Sequence, residues 1–156
     1  PLFSESAMVK ALATDYMSEA ANHLAVLRGG DGYRAAQPGL EGVIHAHPFR
    51  VFEGPNDVLF EQFGRDRMKD AGTRDLTALL ERAGFRPASR VLSTLCAEHP
   101  EVETQRGMVA AGRVLGHAMA ARRAREHEAA FTAEERDLVV RLTERAIARA
   151  YADLLA

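Results

Sequence analysis

The feature that most limits the fold is a repeat distance. Between Ser4 and Leu27 the residues Val9, Leu12, Ala13, Tyr16, Met17, Ala20, Leu24 and Leu27 recur at helical spacing, which puts them on one apolar stripe of an α-helix. Gly29-Gly30 stops that helix, because glycine adopts the left-handed conformation in which helices end. The alternation of a half-buried strand is almost absent from the rest of the chain. β-branched and aromatic residues are sparse, whereas Ala, Leu, Arg and Glu dominate. The expectation is an all-α fold, an antiparallel bundle of roughly five or six helices.

Helical pattern resumes at Pro55, a residue suited to the first helical position, and runs through Val58, Leu59, Phe60, Phe63 and Met68 to Gly72. A short helix over Thr73–Ala83, closed by Gly84, should follow, and then one from Pro87 carrying Val91, Leu92 and Leu95. Pro100 is expected to open a long helix that passes Met108, Val109, Leu115 and Met119 and ends near Ala129. The capping box Thr132/Glu135 starts the last helix, with Leu138, Val139, Leu142, Ala146, Tyr151 and Leu154 as its expected buried face. Residues 1–72 then form a bundle segment and residues 73–156 a helical extension packed on it. Between Gly29 and Gly54 the helical period fails, and Gly29, Gly30, Gly32, Pro38, Gly39 and Gly42 crowd together. An irregular stretch of about 25 residues is uncommon in a compact domain and is commonly functional. The site is expected there.

Bulk properties exclude several partners. A formal net charge of −2 over 156 residues gives no field for nucleic acid or an anionic membrane, and no aromatic residues interleave with a basic run. Arg outnumbers Lys, with Lys10 and Lys69 the two lysines, which permits bidentate carboxylate pairing. One cysteine, Cys96, excludes an internal disulfide and a multi-cysteine zinc site, and fits a reducing, cytoplasmic compartment. Beside Leu92 and Leu95 it reads as an inert core thiol. No run of about 18 uncharged apolar residues is present, so no spanning helix is expected, and the near-neutral charge gives no reason to expect membrane contact. The chain opens at Pro1 and enters a helical pattern at once, which reads as a piece of a longer polypeptide.

Other clusters read as structural. His45 and His47 flank Ala46 without a third ligand nearby, a surface feature more than a metal site, and no metal is expected. Gly112 and Gly116, with Ala120 one turn on, suit close packing of two helices. The Arg122-Arg123-Arg125 run is interleaved with Glu126 and Glu128 and reads as a solvated face.

Residues 49–60 read Phe-Arg-Val-Phe-Glu-Gly-Pro-Asn-Asp-Val-Leu-Phe. This resembles the acyl-CoA dehydrogenase signature, aromatic-Glu-Gly-Thr-Asn-(Glu/Asp)-Ile-Leu, and is most similar to the very-long-chain branch. Gly29-Gly30-Asp31-Gly32-Tyr33 resembles that family's Gly-Gly-x-Gly-(Tyr/Phe) segment, at a matching distance from Glu53. The likeness covers about Met8 to Phe63. It implies an FAD-dependent α,β-dehydrogenation of a fatty acyl-CoA, with Glu53 as catalytic base. By the same likeness Gly54 would line the substrate site, and Pro55, Asn56 and Asp57 would lie against FAD. Gly29 and Gly30 would approach the FAD of a neighbouring subunit. It further implies a homo-oligomer that passes electrons to an electron-transfer flavoprotein or similar acceptor. A base for a weakly acidic α C–H must be positioned and poorly hydrated, and Glu53 between Phe52 and Gly54 is placed to enter an apolar slot.

The sequence also departs from the family. Pro55 stands for the Thr, Val26 for a Gln before the glycine pair, and Ile44-His45 for an Arg-Asp pair. These changes favour a second reading, a non-catalytic helical bundle serving subunit association. Without the family, Glu53 is a turn or cap residue and Gly29-Gly30 a helix terminator.

Overall fold

A computed structural model describes residues 2–71, 104–127 and 130–155, and every element among them is helical. Helix α1 spans Leu2–Leu27, a short 3-10 helix Gly29–Tyr33, α2 Pro38–Phe49, α3 Asn56–Ala71, α4 Gln105–Glu126 and α5 Ala133–Leu155. The chain divides into two compact units, Pro1–Leu59 and Phe60–Ala156, so that α3 begins in the first and continues in the second. The expected helices over 73–83 and from Pro87, the boundary at 72/73 and Cys96 lie outside the described residues. Among the described residues no helix is long and apolar enough to cross a membrane.

In the first unit α1 and α2 run antiparallel: Gly39 lies against Ala25, Gly42 against Ala21, and Arg50 bonds Asp15. Helix α2 corrects the expectation of an irregular stretch from Gly29 to Gly54. Pro38 is a helix start, at the first position after the extended Gln37. The glycines are contact residues: a Cβ on Gly39 would lie 2.7 Å from the Gly32 carbonyl oxygen and 3.0 Å from Ala25 Cα. Close backbone approach is what Gly32 and Gly39 supply, whereas Gly29 ends α1.

The buried face of α1 also differs from the expected stripe. Met8, Ala11, Leu12, Ser18 and Ala25 are buried, whereas Val9 (58% exposed) and Leu24 (41%) are open. Both sets have helical spacing. Leu12 is common to both sets, and Ala25 is buried where Gly32 and Gly39 approach its backbone too closely for a larger side chain.

In the second unit α4 is buried on nearly all sides through Met108, Ala111, Val114, Leu115, Ala118 and Ala121, the mark of a central helix. It starts at Gln105, not Pro100, because the Thr104 side chain caps it by accepting from Gly107 N–H at 3.0 Å. It ends at Glu126, not near Ala129, where His127 N–H bonds the Arg123 carbonyl at 3.1 Å. Gly112 lets α3 approach: a Cβ there would stand 1.8 Å from the Phe60 carbonyl oxygen. Phe60 and Phe63 are fully buried beneath, with the Arg113 and Arg67 guanidinium groups 5.2 and 5.1 Å from their ring centroids.

Helix α5 packs on α4 and begins with the expected capping box. Glu135 accepts the Thr132 backbone N–H at 2.7 Å, and Thr132 Oγ1 accepts from Glu135 N–H at 3.2 Å. Among the described side chains Thr143, Ile147 and Ala150 are buried and the expected Leu138 and Leu142 are exposed, while the expected Tyr151 and Leu154 lie outside the described side chains. The buried positions thus differ from the expected ones at the start of the helix, and the expected Val139 and Ala146 are half-buried.

Candidate functional site

The site is built around the turn that joins α2 to α3. Pro48 sits one residue before the end of α2, and its carbonyl accepts from Val51 and Phe52 N–H, both at 3.0 Å. Gly54 N–H then bonds the Val51 carbonyl at 3.1 Å, and Asn56 N–H reaches back to the Arg50 carbonyl at 3.0 Å. This tight course requires two consecutive left-handed residues, Glu53 (φ +62) and Gly54 (φ +113). Glycine adopts that region freely, but a glutamate there costs about 1–2 kcal/mol. The turn is therefore held from outside.

Helix α1 holds it. Asn56 is 3% exposed, and its Nδ2 lies 3.1 Å from the Ala11 carbonyl, 2.9 Å from Thr14 Oγ1 and 2.7 Å from Asp15 Oδ1. Its Oδ1 accepts from Lys10 Nζ at 3.0 Å. The same ammonium donates to the Gly54 carbonyl at 2.9 Å. Arg50 Nε donates to Asp15 Oδ1 at 2.8 Å, so one carboxylate oxygen receives both ends of the segment from Arg50 to Asn56. Charge-assisted bonds of this kind are the strong ones.

Glu53 itself is exposed, and among the described residues its carboxylate has no hydrogen bond or ion pair. The apolar slot suggested by the sequence is not supplied by the described residues. Phe52, 59% exposed, meets Phe49 edge-on with centroids 6.0 Å apart. Pro55 and Asp57 are exposed, and with Asn56 they line an open groove of about 610 Å³ that also takes in Ile44, His47 and Arg50. Glu53 and Gly54 stand outside that lining. The Pro55 carbonyl accepts from Val58 and Leu59 N–H at 3.0 and 3.2 Å, which starts α3.

Gly29 (φ +59) ends α1, and a Cβ on Gly29 or Gly30 would meet nothing within 4 Å. Gly32, two residues on, is buried, and a Cβ there would stand 2.1 Å from the Ala25 carbonyl oxygen. One glycine motif thus contains two open positions and one packing position. Val26 and Ile44, at 62% and 57% exposure, and the exposed His45 point no polar contact inward. Among the described residues no three His, Cys, Asp or Glu side chains gather as a metal site.

Sequence reasoning missed Lys10, Thr14 and Asp15. A signal was present: their spacing puts polar groups on one side of a helix otherwise read as apolar, and Lys10 is a rare lysine in an arginine-rich chain. Comparison of the chain with protein families, with curated proteins and with solved structures found no match.

Proposed function

We propose that this chain is the C-terminal helical part of an FAD-dependent acyl-CoA dehydrogenase in which Glu53 is the general base. One observation supports this above the others: the Glu53 carboxylate, without a partner among the described residues, stands on a turn whose backbone is tied down on both sides of it. An exposed carboxylate is ordinarily satisfied by water, so the restrained left-handed backbone beneath it is what favours a role beyond solvation. A base must stay unpaired and held still.

In this reading Glu53 takes the α-proton of a fatty acyl-CoA, and Gly54 lines the thioester site. FAD held beside Pro55 and Asp57 would supply the acceptor for the β-hydride, with an electron-transfer flavoprotein or similar acceptor as the onward partner. The surfaces on offer suit a cofactor in part. Gly29 and Gly30 leave backbone open, and Pro55 and Asp57 are exposed beside the groove. Asn56 is committed to α1 and acts from beneath the turn. The water around Glu53 would be displaced by the further domains of such an enzyme, closing over Phe49, Val51 and Phe52. The chain alone is expected to be inactive.

The test uses the complete protein. Glu53→Gln should abolish flavin reduction by acyl-CoA while the visible flavin absorbance remains. Undiminished turnover in that variant removes Glu53 from the mechanism.

A second reading is a non-catalytic bundle for subunit association. The open apolar face of α1, through Val9, Met17 and Leu24, favours it. A full-length protein without flavin absorbance would decide for this reading.

A further inference from the structure

We propose that Lys10 is a positioning residue for the Glu53 carboxylate, acting through the carbonyl of Gly54; this rests on the reading of Glu53 as a base. Asp15 secures the two ends of the turn through Arg50 and Asn56. That leaves the interior, where Glu53 occupies a backbone region that non-glycine residues leave readily. Lys10 supplies the missing tie. Its Nζ donates to the Gly54 carbonyl at 2.9 Å while Val51 accepts the Gly54 N–H at 3.1 Å, so both backbone polar groups of the residue after Glu53 are fixed. The ammonium also donates to the buried Asn56 Oδ1 at 3.0 Å, which couples the turn interior to its anchored end. With Gly54 fixed, the Glu53 peptide cannot swing, and the carboxylate is confined to the arc its own rotamers allow. Removal of a carbon-bound proton is sensitive to such placement, and a displacement of about 1 Å can cost about 100-fold in rate.

The experiment compares Lys10→Met and Lys10→Arg in the full-length flavoprotein. Lys10→Met should lower kcat for flavin reduction by acyl-CoA about 10- to 100-fold, with KM and bound flavin within about twofold of the parent. Amide hydrogen exchange should quicken at Gly54 and Asn56 and stay unchanged along α1. Lys10→Arg, which keeps a charged donor, should restore most of the rate. The proposal is overturned if Lys10→Met keeps its kcat, or loses rate only in step with bound flavin and α1 protection. Should the parent protein fail to reduce flavin, the base reading falls by itself. Exchange then decides for Lys10: quickening confined to Gly54 and Asn56 upholds its grip on the turn, and unchanged exchange removes it.

Discussion

Gly30 and Gly32 look alike in the sequence and have opposite roles. A Cβ on Gly30 meets nothing within 4 Å, whereas one on Gly32 would stand 2.1 Å from the Ala25 carbonyl oxygen, a backbone atom that cannot step aside. Gly32→Ala should therefore destabilise the protein by about 1–3 kcal/mol through overpacking. Gly30→Ala should be neutral or stabilise by about 0.4–1 kcal/mol, since it restricts the unfolded chain. Urea midpoints of the two variants measure this, and a shift of the same sign in both would contradict the assignment. The sequence motif marked the segment but not this division, because clash depends on how near α1 passes. Glu53 was legible as a candidate, while its left-handed backbone and the Lys10 and Asp15 contacts were not. Those contacts join residues more than 30 positions apart.

At the scale of elements, helices α1, α3 and α5 were readable because each carries its own start or stop: Gly29 after α1, Pro55 before α3, Thr132/Glu135 before α5. Helix α2 was not, because Gly39, Gly42 and Pro48 argue locally against a helix; packing on α1 explains the two glycines, and Pro48 falls one residue before the helix ends. The contact faces of α1 and α5 were misjudged for one reason. Helical spacing fits more than one stripe, and which stripe is buried depends on where the neighbouring helix passes. The start of α5 makes a pH prediction. The Thr132 backbone N–H, and then its hydroxyl, hold the Glu135 carboxyl below its ordinary value. A carboxylate with a lowered folded-state pKa stabilises fully above its unfolded pKa, and that contribution is lost as pH falls through the folded value. Fraying of the first turn of α5 should therefore set in as acid passes below the usual carboxylate range. Glu135→Gln should remove this acid step, as read by the pH dependence of helicity. An identical acid profile in that variant would assign the step to another group.

At the scale of the whole molecule, the first unit exposes several large apolar side chains, with Val9, Met17 and Leu24 in line along α1. Such a face argues for association. Under the proposed function it is where subunits meet. Replacing Val9, Met17 and Leu24 together by Gln should lower the mass seen by light scattering and leave helicity unchanged, since exposed positions tolerate polar substitution within about 0.5 kcal/mol each. An unaltered mass would place any association elsewhere. The all-α class of the described residues was legible from periodicity together with the scarcity of β-branched and aromatic residues. The division within α3, between Leu59 and Phe60, was not, since the helix pattern continues across it.

Because one oxygen of Asp15 takes up both the guanidinium of Arg50 and the amide of Asn56, the mount is separable from what it carries. The side chains of Val51, Phe52 and Glu53 contribute nothing to those anchors. A lineage can thus acquire or discard the carboxylate by a single substitution and keep its architecture. Inserting one residue between Arg50 and Asn56 would forfeit the mount itself.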